Sequence, residues 1–389
     1  MIIGLVGFEC ESPNKGCEAL TYSFLSLINE YAMIKKIDIQ VYVFTQFSLG
    51  KIPDKYPSFL FSAIPLKIRD IKCKFIKALI KCDIIFDVTM GDSFSDIYSL
   101  DYFNYLIKEK MYASYFTRRY ILLPQTYGPF NYKSSFKKAV KILKRADKIY
   151  CRDELSQKLL KDKVGISNSE LASDMAFMLP YNKNQYSSLV DYDVCNIGIN
   201  ISGLLFKGGF NSDNQFNLKL NYRNYICDIL NFLKNKTNYC VHLIPHVIDT
   251  RTNASDDDYK TIINMGKLFP WVNVAPLFET PIDAKSFISN MDIFIGSRMH
   301  STIAAFSAGV TTIPVSYSRK FEGLYESLSY PYTINARLED NKSALVKIIS
   351  YIESPHVLKE AQSKSLIIVE HKNQQFRRSI FNLLDEIKP

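Results

Sequence analysis

Ten short apolar runs, separated by stretches of helical periodicity, constrain this chain more than any other feature. The first five are Ile2–Gly7, Ile39–Phe44, Asp83–Val88, Tyr120–Leu123 and Lys148–Cys151; the second five are Val194–Ile201, Tyr239–Ile244, Val272–Ala275, Asp292–Ile295 and Ile313–Val315. Runs of this kind suit strands buried on both faces of a parallel sheet. Strands that alternate with helices build doubly wound α/β units. A polar stretch from Tyr181 to Asp193 separates the two sets and reads as a linker. The expected architecture is therefore two doubly wound Rossmann-like domains, residues 1-183 and 184-372, facing each other across a cleft. In residues 373-389, Phe376, Ile380, Phe381, Leu384 and Ile387 share one helical face, so a terminal helix able to cross back to the first domain is expected. A chain of 389 residues is long enough for two cores.

Composition narrows the class. Hydrophobic content of 47% with 13% aromatics excludes a disordered chain. No apolar run approaches the roughly 18 residues of a membrane-spanning helix, and a strand starting at Ile2 leaves no room for a signal peptide. The eight cysteines are scattered without a CxxC pair, as expected of reduced thiols in a cytoplasmic protein. No metal-ligand spacing is evident, and Asp256–Asp258 reads as a solvated helix start. A net charge of +9 points to an anionic partner or surface. Lys133, Lys137 and Lys141 recur at helical spacing, with Lys138, Lys144, Arg145 and Lys148 nearby. From Lys67 to Lys81, cations alternate with Ile68, Ile71, Phe75, Ile76, Leu79 and Ile80. Such a helix can lie on anionic lipid, although an apolar face packed on the sheet beneath solvated lysines gives the same pattern. No recognition motif for nucleic acid accompanies the charge.

The chemistry concentrates between Met291 and Glu322, read as a strand, a GSR turn, a small-residue helix, a second strand and a basic loop. Open parallel sheets bind ligands outside the carboxyl ends of their strands. Arg298 and His300 from one turn, and Arg319 and Lys320 from the next, are therefore expected to converge. Arg298 offers a planar fork for carboxylate or phosphate, the helix start adds N–H donors, and His300 can shuttle a proton near neutral pH. The plainer alternative pairs Arg298 with a structural acid and uses His300 as a cap. His246 ends its strand at the same edge, whereas His242 lies deeper and reads as a core histidine. Asn200, Ser202 and Gly203, after strand Val194–Ile201, can add hydroxyl and N–H donors. In the first half, Gly4, Gly7 and Gly16 make no GxGxxG, so no dinucleotide fingerprint is present. Helix capping alone accounts for Asp92 and Asp96. Their position after a strand also suits a polyol pocket, in which Asn14, Asp92, Asp96 and Gln125 bind hydroxyls and Tyr127 and Phe94 stack on a sugar face.

The order of these segments resembles the polysaccharide pyruvyl transferase family. Strand, GSRMH, helix, AGV, strand, Tyr317 and Lys320 are similar to its C-terminal motif, and Asn14, Gly16, Glu18 and Ala19 to its early Asn-x-Gly-x-Glu-Ala turn. MGDSFSD (Met90 to Asp96), LLPQTYGPF (Leu122 to Phe130), RDELS (Arg152 to Ser156), ASDMAF (Ala172 to Phe177) and LIPHV (Leu243 to Val247) follow in family order, so the resemblance spans about residues 3 to 325. It implies a GT-B-like α/β fold and transfer of the enolpyruvyl group of phosphoenolpyruvate onto a sugar of a surface polysaccharide precursor, free or carried on a lipid diphosphate. A pyruvate ketal forms and phosphate leaves. Phosphoenolpyruvate is then a co-substrate, with no cofactor and no metal implied. Arg298, Lys320, Arg319, Asn200, Ser202 and Gly203 fall to the donor, and Asn14, Asp96, Gln125 and Tyr127 to the acceptor. His300 falls to proton transfer or phosphate contact, with His246 and Asp92 as alternative bases. The chain departs from the family at INISGLL, where many members carry an arginine, so either Arg319, Lys207 or the backbone substitutes for it or the donor pose differs. Two rivals stay open: a GT-B glycosyltransferase using a sugar nucleotide, with Glu322 as its late acid, and a non-enzymatic carbohydrate- or polyanion-binding protein. A lipid-carried acceptor would set the basic first-domain surface against the inner face of the membrane.

Overall fold

The structure, a computed structural model, describes residues 1–65, 72–249 and 256–387. It comprises two compact units. The first contains residues 1–12, 20–175 and 370–389, and the second residues 13–19 and 176–369.

The first unit is built on seven parallel strands: β1 (Ile2–Val6), β2 (Ile39–Phe44), β3 (Phe59–Ile64), β4 (Ile84–Asp87), β5 (Tyr120–Gln125), β6 (Lys148–Cys151) and β7 (Glu170–Leu171). Their order is β3-β2-β1-β4-β5-β6-β7, so the winding reverses between β1 and β4. The register there pairs Ile3 with Ile84 and Val6 with Asp87. The helices are α1 (Lys15–Lys35), α2 (Ile52–Lys55), α3 (Lys72–Lys81), α4 (Leu100–Phe116), α5 (Lys133–Leu143) and α6 (Glu154–Leu159). Right-handed crossovers place the helices before and after the reversal on opposite faces. On one face, α3 meets α4 through Phe75 and Tyr112, and α4 meets α5 through Asn104 and Lys138 at 2.6 Å. On the other, α1 carries Tyr31 against Phe381, with ring centroids 5.1 Å apart, and Lys35 bonds Asp385 at 2.7 Å.

The second unit holds β8 (Cys195–Asn200), β9 (Tyr239–Leu243), β10 (Asn273–Val274), β11 (Ile293–Gly296), β12 (Thr311–Ser316) and β13 (Ile334–Asn335), ordered β10-β9-β8-β11-β12-β13. Its reversal lies between β8 and β11. The helices are α7 (Gly203–Phe206), α8 (Tyr222–Leu233), α9 (Asp258–Leu268), α10 (Pro281–Ile288), α11 (Met299–Ser307), α12 (Arg319–Ser327), α13 (Asn341–Glu353) and the first part of α14 (Pro355–Asp385), whose residues from 370 onward belong to the first unit. Local sequence fixes several starts. Thr280 and Asp283 form a reciprocal capping box ahead of α10, with Pro281 at its first position. Inside α14, the buried Gln362 accepts from the Thr312 amide at 3.0 Å and donates to the Phe306 and Val310 carbonyls at 3.0 and 2.8 Å.

Several expectations need correction. The strands β3, β7 and β13 escaped the pattern because two of them have only two residues and β3 has exposed positions. The polar stretch from Tyr181 to Asp193 is no free linker: Tyr186 packs on Phe278 and Phe287, and the Asn182 amide bonds Ser286 at 2.9 Å. The terminal helix starts at Pro355 rather than near residue 373, its earlier turns being masked in the sequence by the buried polar Gln362 and Ser365. Part of the basic segment Lys67–Lys81, residues 67–71, lies outside the described residues.

Candidate active site

At the winding reversal of the second unit, Asn200 ties three strand ends together. Its Nδ2 donates to the Ile244 carbonyl at 3.0 Å and towards Asp258 at 3.3 Å. Its Oδ1 accepts from the Arg298 amide at 3.0 Å and from the Ser301 hydroxyl at 3.1 Å. Asp258, fully buried at the start of α9, accepts from the amides of Gly203 at 2.8 Å, His246 at 3.2 Å and Val247 at 3.0 Å. Gly203 is required there, since a Cβ would stand 2.2 Å from the Asp257 carbonyl oxygen. Ser202 caps α7 by accepting from the Leu205 amide at 3.3 Å.

Arg298 belongs to the same knot. Its guanidinium donates to Asp258 at 2.7 Å and forks onto Asp256, leaving the residue 8% exposed. Burial opposes the charge, but Asp258 and Asp256 more than offset it and hold the pKa well above the ordinary value. The reading of Arg298 as an open fork for the donor is therefore corrected: a guanidinium this deep needs carboxylate partners. The Asp256–Asp258 run supplies them, so it is not a solvated helix start, and Asp257 caps α9. Asn200, Ser202 and Gly203 likewise face inward and shape the turn.

Around this knot lies a cluster of titratable groups. The segment 13–19 enters beside it: Asn14 bridges Val247, the Lys15 amide donates to the His246 carbonyl at 3.0 Å, and the Ile248 amide to the Pro13 carbonyl at 2.8 Å. Asn14 thus sits in the second unit, its Oδ1 accepting from the Gly16 amide at 2.9 Å, which corrects its placement in a first-domain acceptor pocket. Lys15 Nζ bonds Glu18 at 2.8 Å and the Glu279 carbonyl at 2.9 Å. Gly16 abuts the ring of His300, the half-buried second residue of α11.

His246 is the most unusual member. It is 3% exposed, and both ring nitrogens are buried without a hydrogen-bond partner among the described residues. Burial, then the charges of His300, Arg298 and Lys15, lower its pKa well below the usual histidine value, so the ring is neutral at pH 7. A neutral imidazole has one N–H and one lone pair to satisfy, and leaving each unmet costs about 1–3 kcal/mol. Arg319, exposed, and Lys320, half-buried, open α12 behind the Ser318 cap. One turn on, Glu322 has Oε1 buried without a hydrogen-bond partner among the described residues. His242 is the core residue expected, bonded to Asn196 at 3.0 Å.

The first unit has its own polar edge at the β1/β4 reversal. Thr89, Met90 and Gly91 run consecutively at φ 44°, 52° and 84°, a left-handed path that costs non-glycine residues about 1–3 kcal/mol each. Met90 N donates to the Gly7 carbonyl at 2.9 Å and Thr126 N to the Gly91 carbonyl at 2.8 Å. Beyond the turn, half-buried Asp92 accepts from the Tyr98 hydroxyl at 2.8 Å. Buried Arg152 pairs with Asp174 at 2.8 Å and donates to Thr126 at 2.9 Å, while its second terminal nitrogen has no hydrogen-bond partner among the described residues. The other acceptor expectations are corrected. Asp96 takes the amides of Asn131 and Tyr132 at 2.8 and 3.0 Å. Gln125 is fully buried and donates to the Asp87 carbonyl at 3.0 Å. Tyr127 donates to the Tyr150 carbonyl at 3.1 Å and packs edge-on against Phe94, both rings in the core. The sequence reading gave no role to Lys15, Asp258, Arg152 or Asp174. Three of them lie inside or beside quoted motifs, which was the available signal. Among the described residues no cluster suited to a metal ion is found.

Two doubly wound parallel units of this kind define a GT-B-type enzyme fold. A UDP-GlcNAc 2-epimerase from Neisseria meningitidis bound to UDP-GlcNAc is similar over 95% of this chain and 98% of its own, with TM-score 0.59 and 13% identity. A sucrose-phosphate synthase from Thermosynechococcus elongatus is similar over 99% of both chains, with TM-score 0.56 and 9% identity. At such identities the likeness shows the fold alone. No curated protein matches the chain by sequence. The sequence profile of the polysaccharide pyruvyl transferases does match, over residues 14–319. The chain belongs to the polysaccharide pyruvyl transferase family.

Proposed function

We propose that the protein transfers the enolpyruvyl group of phosphoenolpyruvate to a sugar of a polysaccharide precursor and closes it into a pyruvate ketal. Family membership supports the class of reaction. The observation that carries the chemical reading is His246, a neutral, buried imidazole without a hydrogen-bond partner beside His300 and a group of cations. In this reading a sugar hydroxyl adds to C2 of phosphoenolpyruvate while C3 gains a proton. The C2–O bond to phosphate then breaks, a second hydroxyl of the same sugar bonds C2, and its proton leaves. His300 delivers the proton to C3 and His246 accepts one from an attacking hydroxyl. A positioned acid or base of this kind is worth about a hundred- to ten-thousand-fold in rate. Lys320, Arg319 and the amides opening α11 hold the phosphate and carboxylate. Arg298 fixes the turn instead of touching the donor. The acceptor sugar presents its attacking hydroxyl to His246.

The test is acceptor-dependent phosphate release from phosphoenolpyruvate, with product mass read in parallel. Galactosyl, mannosyl and glucosyl acceptors, free and lipid-diphosphate-linked, are tried beside sugar nucleotides. A product heavier by a pyruvate ketal, lost in His300→Ala, supports the reading. Sugar transfer from a nucleotide would overturn it. That second reading has one observation in its favour, the buried Glu322 oxygen without a hydrogen-bond partner on α12.

A further inference from the structure

The charge of this protein is sorted onto one layer. Helix α3 and the segments 100–119 and 132–145, which contain α4 and α5, hold fourteen Lys and Arg against two acids, Asp101 and Glu109. That excess of twelve is larger than the +9 of the whole chain, so the remaining residues are slightly acidic in sum. The three helices lie side by side on one face of the first unit's sheet, joined by the Phe75–Tyr112 and Asn104–Lys138 contacts.

The inward and outward sides of the layer differ sharply. Facing the sheet, Lys110 is buried on Asp87 at 2.6 Å, and Glu109 beside it is half-buried. Facing out, α5 and the residues after it expose Lys133, Lys137, Lys138, Lys141, Lys144 and Arg145, and on these described segments Asp101 is the one exposed acid. Elsewhere the surface interleaves signs, as in the pairs Lys364–Glu360 and Arg377–Glu30, the usual arrangement for a soluble surface. Aromatic rings stand among the cations: Tyr115 is 53% and Tyr132 52% exposed, Phe116 is exposed, and the Arg145 guanidinium lies 3.5 Å from the Tyr115 ring centroid. Exposed cations with exposed aromatic rings among them match the interface of an anionic bilayer, where phosphates pair the cations and rings settle among the headgroups.

We propose that the α3–α4–α5 face of the first unit docks on a membrane surface rich in anionic phospholipid. The proposal holds whichever group the enzyme transfers. It is tested by co-flotation of the full chain with vesicles of neutral phosphatidylcholine alone or with a third of phosphatidylglycerol, at low and high salt. Binding is expected only to the anionic vesicles and is expected to weaken with salt. The triple variant Lys133→Glu, Lys137→Glu, Lys141→Glu should lose at least about a hundredfold, since each cation near the surface contributes roughly fivefold. The matched reversal Lys234→Glu, Lys342→Glu, Lys359→Glu, elsewhere on the surface, should lose little. In Phe116→Trp, anionic vesicles should shift the new indole emission to the blue. Equal binding to neutral vesicles, equal losses in the two triple variants, or tighter binding to a single-stranded polynucleotide than to anionic vesicles would overturn the proposal.

Discussion

Gly16 lies against the imidazole of His300 so closely that a Cβ on it would stand 2.4 Å from Nδ1 and 2.6 Å from Cγ. The glycine of the early turn therefore serves the histidine of a motif almost three hundred residues later. A side chain at position 16 must displace the ring or the 13–19 segment. Gly16→Ala is expected to lower kcat at least about tenfold, since small misplacements of a catalytic group are costly, with little change in thermal midpoint. Gly323→Ala on α12, where a Cβ meets nothing within 4 Å, is the control and should retain activity.

Arg298 is held by Asp258 and Asp256, so its loss should register first in stability. Removing one partner of a buried ion pair costs about 3–5 kcal/mol. Arg298→Ala and Asp258→Ala are both expected to lower the unfolding free energy read from urea titration by amounts of that order. The double variant should cost less than the two singles combined, as in any coupled pair. An Arg298→Ala protein of normal stability whose KM for phosphoenolpyruvate alone rises would restore the open-fork reading.

The alternation of apolar runs and helical stretches made both sheets legible, because strands buried on two faces leave continuous hydrophobic signatures. It also placed His300, His246 and Arg298 just after strand ends, whereas the stretch read as a basic loop after the last of these strands is the start of α12, with Arg319 and Lys320 in its first turn. What it could not supply was direction. Gln125, Tyr127 and Asp96 follow strands just as Asp92 does, yet three turn into the core or onto a loop and one faces the edge. The partners of Arg298 were equally hidden, since Asp256 and Asp258 lie about forty residues away in a run that has the composition of a solvated helix start. Asn14 illustrates a further limit: chain order put it in the first domain, whereas its bridge to Val247 places it in the second unit.

Lys285 gives a dependence of stability on pH. It is 1% exposed, its ammonium donates to the Leu179 carbonyl at 2.7 Å, and burial lowers its pKa to about 7 from 10.5. Between those values the unfolded chain binds the proton that the folded chain does not, so stability rises with pH there. The contribution is fully present above pH 10.5 and is lost as pH falls through 7. Urea midpoints measured from pH 7 to pH 10 should rise for the parent protein, and Lys285→Met should rise less steeply over the same window.

His246 offers the sharpest separation of function from structure. Its backbone amide and carbonyl are bonded to Asp258 and to the Lys15 amide, and a side-chain substitution leaves those bonds in place. Its ring nitrogens give the described fold no hydrogen bond in return for their burial. Replacing a buried polar group without a hydrogen-bond partner by an apolar one of similar size is neutral or stabilising, whereas removing a catalytic base costs about a hundred- to ten-thousand-fold in rate. His246→Leu is therefore expected to match or exceed the parent in thermal midpoint while losing at least about a hundredfold in kcat. The two readouts must move in opposite senses, because a site that keeps an imidazole unsatisfied for its ligand gives up stability for activity. A His246→Leu protein that is destabilised by several kcal/mol and retains its turnover would return the residue to the core.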